Sequence, residues 1–515
     1  MKVVKLFVGF ILFVSISVIG IVNYLQNAEP YTRIGEKYAA PIRSLKWFVY
    51  NNTIDIKSCG FNKPTTDDAI ILDFSNNDLK YNDSILSIVK NEATYFDDNL
   101  KDWKKTHLIY DKRRYEIKYR FHGSYSYYSK QGRFSLKIKS KDFIKGTKDF
   151  SLLTGFITGN FADIFLAIQE QNLNLICPDP GSIVLANING TTEDCWFTRD
   201  ISDKYLKAKY SLNNFHVFER SDNWKRNGGP HFSELDKFYY YLDEEGLESQ
   251  APLFRKYKEF MTSYDSSLEN AKKNIDYSYY GRFLASLYFF YDPHHIQGDN
   301  NKLLYNYETD MIYPIARNEG VFERIPNVLD FDEGLFHING RNSATFNFYR
   351  KAVCNDSIRY YRDIELSRMI KAKSKMLLEL DSIYFKSYEL SKYYNVTFMN
   401  IRYQYEKLKK VIEENANTIN NYLNNGEVII AYNLLANEML ISTDYRVPLI
   451  LYDNVNSTNY SIKGVDFEYK NNKIRLNFSE NHFHSPTKIS KDAITIVNTI
   501  TGDTIPTQNI IFNYF

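Results

Sequence analysis

The stretch Phe134-Ser135-Leu136-Lys137-Ile138-Lys139 alternates apolar and polar residues. Because successive side chains of a strand point to opposite faces, this alternation predicts a strand with one buried face and one charged face. Two further segments upstream, His107–Tyr110 and Tyr115–Phe121, alternate in the same way, and His122-Gly123-Ser124 reads as a turn. We therefore expect a β-rich region between residues 107 and 139.

The pattern changes along the chain from strands to helices and back to strands. After the β-rich region, apolar residues at helical spacing predict helices at 160–175, Phe232–Leu247 and Tyr277–Tyr291, and long amphipathic patterns follow over 358–424. Beyond Asn424-Asn425-Gly426, short strands separated by polar turns predict a small β-sandwich. The predicted class is α+β, with a β-rich part, then a helical part, then a β module.

Length and charge restrict the organisation of the chain. It has 515 residues, which predicts two to four domains, and a net charge of +2 without a Lys/Arg block, so no nucleic-acid partner is expected. We divide it into 1–26, a linker at 27–65, a core at 66–425 and the β module at 426–515.

The N-terminal segment predicts a membrane anchor. Lys2 and Lys5 precede an apolar run from Leu6 to Val22, which is near the lower length limit of a membrane span. The basic flank favours a cytoplasmic N-terminus, so we expect the bulk of the chain to be extracytoplasmic. A cleaved signal peptide is the alternative.

Four cysteines are present, at 59, 177, 195 and 354, and no CxxC motif occurs. In an oxidising compartment, Cys177 and Cys195 are the preferred disulfide pair because they flank a predicted pair of strands. Free buried thiols are the alternative.

The run from Asp292 to Asn301 concentrates residues capable of catalysis. It contains Asp292, His294, His295, Asp299 and Asn301, and lies between a predicted helix and a predicted hairpin over Lys302–Ile315. Phosphoryl transfer uses such a loop to orient an acceptor hydroxyl and to hold a metal ion. A structural hydrogen-bonded loop is the alternative, and a metalloenzyme built on adjacent histidines is weaker because their side chains diverge.

Four segments together resemble the CotH family, the spore-coat-protein-H-like atypical protein kinases. The resemblance covers roughly residues 108–320. Its segments are Tyr119–Ser124 with Ser135–Lys139, Asn189–Leu206, the helix Tyr280–Phe290 running to His295, Asn301 and Tyr305, and Ile312–Ile315.

The resemblance implies a kinase-like two-lobed core that binds ATP with Mg²⁺ or Mn²⁺ and phosphorylates Ser/Thr of an envelope or coat protein. It places Lys130, Arg133 and Lys137 at the nucleotide phosphates. The catalytic base would be Asp292 or Asp299, with His295 as the alternative. The implied metal residues are Asn301, Asn318 and Glu319, and Asp330, Asp332 and Glu333 are a second set.

The chain also departs from the family pattern. Aligned on Tyr205-Leu206, Arg199 stands where the family has a Glu, and a one-residue shift of the alignment would place Asp200 there instead. Asn318 stands where the family has the metal-binding Asp. Asn provides an oxygen ligand without negative charge. A catalytically degenerate relative that binds envelope proteins or glycan is therefore the alternative function.

Overall fold

The structure is a computed structural model of the chain. It describes residues 69–92, 102–122, 135–154, 160–188, 191–199, 201–220, 238–240, 251–291, 302–316, 349, 351–391, 398–433, 438–454, 458–462, 472–477 and 494–514.

Seven strands close into a barrel, in the order β1-β2-β3-β4-β5-β7-β6. The strands are β1 (Ile70–Asp73), β2 (Lys104–Tyr110), β3 (Arg113–Phe121), β4 (Leu136–Ile144), β5 (Thr147–Thr154), β6 (Ser182–Ile188) and β7 (Thr191–Thr198). The barrel closes because β1 pairs antiparallel with β2 on one side and parallel with β6 on the other.

The alternation in β4 is confirmed. Leu136 and Ile138 are fully buried within the barrel core, and Lys137 and Lys139 lie on the outer face. A helix, α1 (Asn76–Glu92), packs at this core, where Asn82 accepts a 3.0 Å hydrogen bond from the buried Tyr119 hydroxyl.

The predicted fold class does not stand. The chain is a mixed α/β protein whose first strands form a closed seven-stranded barrel, where a kinase-like two-lobed core with a membrane anchor was predicted. The physical reason is the double pairing of β1, which joins the two ends of the sheet. A barrel has no free strand edges, so this closure also protects the region from edge-to-edge association.

Helices follow and interleave with a second sheet. They are α2 (Asn160–Asn172), α3 (Asp203–Tyr210), α4 (Ala251–Ser266) and α5 (Tyr277–Phe290), with a short 3-10 helix at Glu269–Asn274. The sheet has the order β11-β10-β8-β9, with β8 (Phe215–Arg220), β9 (Phe238–Tyr240), β10 (Lys302–Asn306) and β11 (Met311–Ile315). The predicted hairpin is confirmed, but the helix predicted over Phe232–Leu247 is wrong at β9, which pairs with β8.

Helix α5 is the centre of the helical region. It is almost entirely buried and packs against α6 (Asp356–Lys371). The two backbones approach closely at Gly281, where an added Cβ would lie 2.5 Å from the Tyr361 Cβ. A glycine is therefore required at this crossing.

Two longer helices complete the region, α7 (Lys373–Ser391) and α8 (Phe398–Asn424). A buried ion pair on α6 is linked to α8 by Tyr422. Arg362 and Asp363 contact each other at 2.8 Å, and both contact the Tyr422 hydroxyl. Because an unpaired buried charge is costly, these partners depend on one another.

The C-terminal strands form two sheets, with orders β16-β13-β12-β18 and β15-β14-β17. They are β12 (Val428–Asn433), β13 (Glu438–Thr443), β14 (Leu449–Asp453), β15 (Thr458–Ile462), β16 (Asn472–Asn477), β17 (Ile494–Asn498) and β18 (Ile510–Tyr514). Both sheets contribute to the same buried cluster as the helices.

The predicted membrane anchor, and the membrane location that followed from it, do not stand. Among the helices that the structure describes, none combines the length and apolar character needed to cross a membrane. Residues 1–26 lie outside the described residues.

The predicted disulfide is wrong. Cys177 and Cys195 are both buried free thiols. They lie on separate layers, because Cys195 faces the barrel core and Cys177 packs in the helical core.

Candidate functional site

One segment connects the barrel to the helical region, and we name Ile176–Gly181 the strap. The Tyr279 hydroxyl on α5 accepts from the Ile176 N–H at 2.9 Å and donates to the Pro314 carbonyl at 2.8 Å. The Ala316 N–H donates to the Ile176 carbonyl at 2.8 Å. The strap therefore fixes the end of β11, two residues before Asn318.

The other end of the strap is held by β7. The Thr198 hydroxyl donates to the Asp179 carbonyl at 2.5 Å, and Trp196 donates its indole N–H to the Pro180 carbonyl at 2.7 Å. Arg199 Nε donates to the Asp179 carboxylate at 2.8 Å. The positive charge at Arg199 is thus neutralised by Asp179.

Tyrosine hydroxyls surround Cys177 in the strap. Tyr210 accepts from the Cys177 N–H at 3.0 Å, and Tyr205 donates to the Cys177 carbonyl at 3.0 Å. Burial raises the pKa of both hydroxyls and of the Tyr279 hydroxyl. Burial also raises the pKa of the Cys177 thiol, so the cluster is neutral and serves to hold the backbone.

A row of polar side chains crosses the outer face of the barrel next to the strap. Arg120, Lys137, Ser151 and Thr198 are successive register partners on β3, β4, β5 and β7. We name these four residues the cationic row after Arg120 and Lys137; Ser151 and Thr198 are uncharged and buried. Neighbouring strands lie about 4.8 Å apart, so Lys137 is about 10 Å from Thr198, which is bonded to the strap.

Trp103 lies beside the cationic end of this row. Its ring is 4.9 Å from the Arg120 guanidinium carbon and 4.6 Å from Lys139 Nζ. Contacts of this kind are worth about 0.5–1 kcal/mol at exposed sites. They hold the two cations over the face of the barrel.

The connection between β3 and β4 begins and ends at the same end of the barrel. The His122 N–H donates to the Ser135 carbonyl at 2.8 Å, which closes the base of the connection. Lys130 and Arg133, predicted to contact phosphates, belong to this connection and lie outside the described residues. Lys137 is the predicted phosphate contact whose position the structure gives.

The polar loop predicted to be catalytic is anchored at both ends. Helix α5 ends at Phe290, whose neighbour Phe289 receives a 3.0 Å hydrogen bond at its carbonyl from Asn415, and Tyr291 turns the chain with a φ of 46°. Strand β10 begins at Lys302. The loop residues Asp292, His294, His295, Asp299 and Asn301 lie outside the described residues.

The remaining residues predicted to bind a metal also lie outside the described residues. They are Asn318 and Glu319, and the second set Asp330, Asp332 and Glu333. Within the part of the chain that the structure describes, no group of three or more His, Cys, Asp or Glu side chains could hold a metal ion.

Tyr305, quoted in the resemblance, lies at the far end of the hairpin. Its hydroxyl donates to the Asp310 carboxylate at 2.7 Å, and Lys256 Nζ lies 3.4 Å from the same carboxylate. These contacts hold the β10–β11 turn, so Tyr305 is structural.

Glu170 on α2 is a buried carboxylate that the sequence analysis missed. Glu170 is fully buried, and its carboxylate contributes to the raised pKa of the Cys177 thiol. An acidic residue directly after the apolar stripe of α2 was the available signal, but helical spacing alone places it on the exposed side. Helix α2 also packs against α7, so the apolar stripe is not the only buried side of this helix.

No family model matches the chain, and no curated protein matches it significantly.

Proposed function

We propose that the chain binds ATP with Mg²⁺ or Mn²⁺ and transfers the terminal phosphoryl group to a Ser or Thr hydroxyl of a partner protein. The observation that carries the proposal is that the strap is bonded both to the cationic row, at Thr198, and to the end of β11, at Ala316. Phosphoryl transfer depends on positioning and on positive charge at the phosphates, and Arg120 and Lys137 supply such charge in the row that ends at the strap.

The residues take the following roles. Lys137 and Arg120 bind the phosphates, with Lys130 and Arg133 from the β3–β4 connection. Asp292 or Asp299 accepts the proton of the acceptor hydroxyl, with His295 as the alternative base. The acceptor oxygen forms a bond to the γ-phosphorus while the bond to the β–γ bridging oxygen breaks and ADP leaves.

Oxygen-donor residues fit the metal. Asn301, Asn318 and Glu319 provide the amide and carboxylate oxygens that Mg²⁺ prefers, and the bound ion would supply positive charge at the β- and γ-phosphates. The hydrogen bond from Ala316 to Ile176 supports this assignment, because it fixes the chain two residues before Asn318.

Nucleotide binding is tested by thermal unfolding of the full chain with ATP and Mg²⁺ or Mn²⁺. Ligand at a hundredfold excess over its Kd stabilises a protein by about 2.7 kcal/mol, a readily measured shift in Tm. Lys137→Ala is expected to weaken ATP binding by about tenfold to a hundredfold, because a hydrogen bond to a charged group is worth about 1.5–3 kcal/mol. Lys141→Ala is the matched control, since Lys141 is on the same strand but pairs with Glu116 at 3.3 Å.

Catalysis is tested by phosphate transfer from labelled ATP to a protein acceptor. Asp292→Asn and Asp299→Asn are compared with Glu308→Gln, a change at an exposed residue in the β10–β11 turn. Loss of transfer with retained ATP binding in one Asp variant supports the assignment of the base. Full transfer in Asp292→Asn, Asp299→Asn and His295→Ala alike would place the chemistry elsewhere.

A catalytically degenerate binding protein is the second candidate, and the Arg199–Asp179 pair favours it. Arg199 stands where a carboxylate was expected to support a phosphate-binding lysine, and its pairing with Asp179 makes it a structural residue. This candidate predicts binding of a partner protein or a glycan without ATP, and no stabilisation by ATP and metal.

A further inference from the structure

A second row of side chains lies parallel to the cationic row on the outer face of the barrel. Lys105, Lys118 and Lys139 are successive register partners on β2, β3 and β4, and all three are exposed. We name them the lysine ladder. Like charges directly opposite one another on neighbouring strands destabilise a sheet.

The described acidic residues that neighbour the ladder form their ion pairs with other lysines. Asp149 is the register partner of Lys139, but its carboxylate lies 3.5 Å from Lys204 Nζ. Among the residues that the structure describes, no carboxylate lies within 4.0 Å of the Lys105, Lys118 or Lys139 ammonium groups.

The next row toward the β4–β5 turn is different. Glu116 faces His107 in register and pairs with Lys141 at 3.3 Å. The same face thus combines a charge-balanced row with two rows that carry Arg120, Lys137 and the lysine ladder. A concentration of one charge on a protein surface attracts ligands of the opposite charge, and the three lysines of the ladder are its exposed members.

We infer that the lysine ladder binds an acidic segment of a partner protein. The ladder spans two strand spacings, about 10 Å, and side chains on one side of an extended peptide repeat about every 6.8 Å, so two or three carboxylates can meet the flexible lysine stems. Trp103 contacts Lys139 and adds an aromatic surface beside the ladder. A nucleic acid fits less well, because single strands are bound by a longer basic groove with several stacking aromatics.

The ladder lies two residues along each strand from the cationic row, about 6.8 Å away. An acidic segment bound there would bring a neighbouring Ser or Thr of the same segment toward phosphates held by Lys137 and Arg120. This role as the acceptor segment rests on the proposed function, whereas the binding itself does not.

The test is fluorescence anisotropy of the full chain with a labelled peptide of alternating Glu and Ser, without ATP. The same peptide with Gln in place of Glu is the ligand control. We expect the Glu peptide to bind and the Gln peptide to bind at least about tenfold more weakly, with the difference shrinking as salt screens the charges.

Lys118→Ala combined with Lys139→Ala is expected to weaken binding of the Glu peptide by about threefold to tenfold, the effect of losing two exposed ion pairs. The charge-matched control is Lys375→Ala combined with Lys410→Ala, which removes two lysines that pair with Glu379 and Glu414 on helices. Equal binding by both double variants would overturn the inference, as would equal binding of the two peptides. If the ladder double variant unfolds, the single Lys118→Gln variant answers the same question.

Two outcomes separate this inference from the proposed function. Peptide binding that depends on the ladder, without any stabilisation by ATP, keeps the inference and rejects the phosphoryl transfer. Stabilisation by ATP with no peptide binding does the reverse. Tighter binding of a single-stranded oligonucleotide or of anionic lipid vesicles than of the Glu peptide would also overturn the inference.

Discussion

Tyr279 contributes to the fold through its hydroxyl as much as through its ring. The hydroxyl links the Ile176 N–H to the Pro314 carbonyl, and all three groups are buried. Tyr279→Phe keeps the ring but leaves a donor and an acceptor without a partner. We expect a loss of about 1–3 kcal/mol in the free energy of unfolding, measured by urea denaturation. Tyr360→Phe, at a residue 37% exposed, is the control and should change stability little.

Cysteine reactivity distinguishes the two chemical environments of the thiols. Burial raises the pKa of the Cys177 thiol, so the reactive thiolate is scarce at neutral pH, whereas Cys354 is exposed. In the native protein, iodoacetamide is expected to modify Cys354 and to spare Cys177 and Cys195, as measured by peptide mass spectrometry. All three should react after denaturation without a reductant. If Cys177 and Cys195 are not alkylated after denaturation, the two residues form a disulfide after all.

At the scale of the element, the β10–β11 hairpin has an acid-sensitive turn. The hydrogen bond from Tyr305 lowers the pKa of Asp310, and Lys256 adds to the effect. A carboxyl group with a lowered folded pKa stabilises the protein above its unfolded pKa of about 3.9, and this stabilisation is lost as the pH falls through the folded value.

Asp310→Asn should therefore be less stable than the wild-type protein near neutral pH, and the difference should narrow below about pH 4. Urea unfolding at several pH values measures this, with Glu308→Gln as the control at an exposed neighbour. A difference in stability that does not change with pH would show that the ionised carboxylate is not what holds the turn.

Elements with a strong local pattern could be predicted from the sequence. Helix α2 begins where predicted and ends at Asn172, three residues before the predicted end, and α5 and the hairpin occupy the predicted positions. Phe238–Tyr240 could not be predicted as a strand, because its pairing with β8 is a long-range contact inside a segment with helical spacing. Tertiary pairing decides such short segments, and local propensity does not.

The candidate site was predictable only in outline. The sequence identified Lys137 and the polar loop, since charged residues in a strand and His/Asp/Asn clusters are visible locally. The strap was not identified, because its importance comes from bonds to Tyr279 and Ala316, which are over a hundred residues away along the chain. Asp179, the partner of Arg199, lies only 20 residues away along the chain, but it was also missed because no local pattern pairs the two residues.

At the scale of the whole molecule, closure of the barrel depends on its shortest described strand. Strand β1 has four residues, and it joins β2 to β6. Within it, Ile70 is fully buried and Ile71 is partly exposed on the other face. No local pattern in the sequence encodes the parallel pairing of β1 with β6, so the closed barrel could not be predicted.

The closure predicts a specific consequence of substitution in β1. Ile70→Ala is expected to destabilise the protein by about 2–5 kcal/mol, the usual cost of removing a buried Ile side chain in a packed core. Because β1 contacts both neighbours, backbone amides of β2 and of β6 should lose protection from hydrogen exchange together. Ile71→Ala is the matched control and should cost much less. An effect confined to β2 would mean that β1 lies on an open edge and that the barrel is not closed at β6.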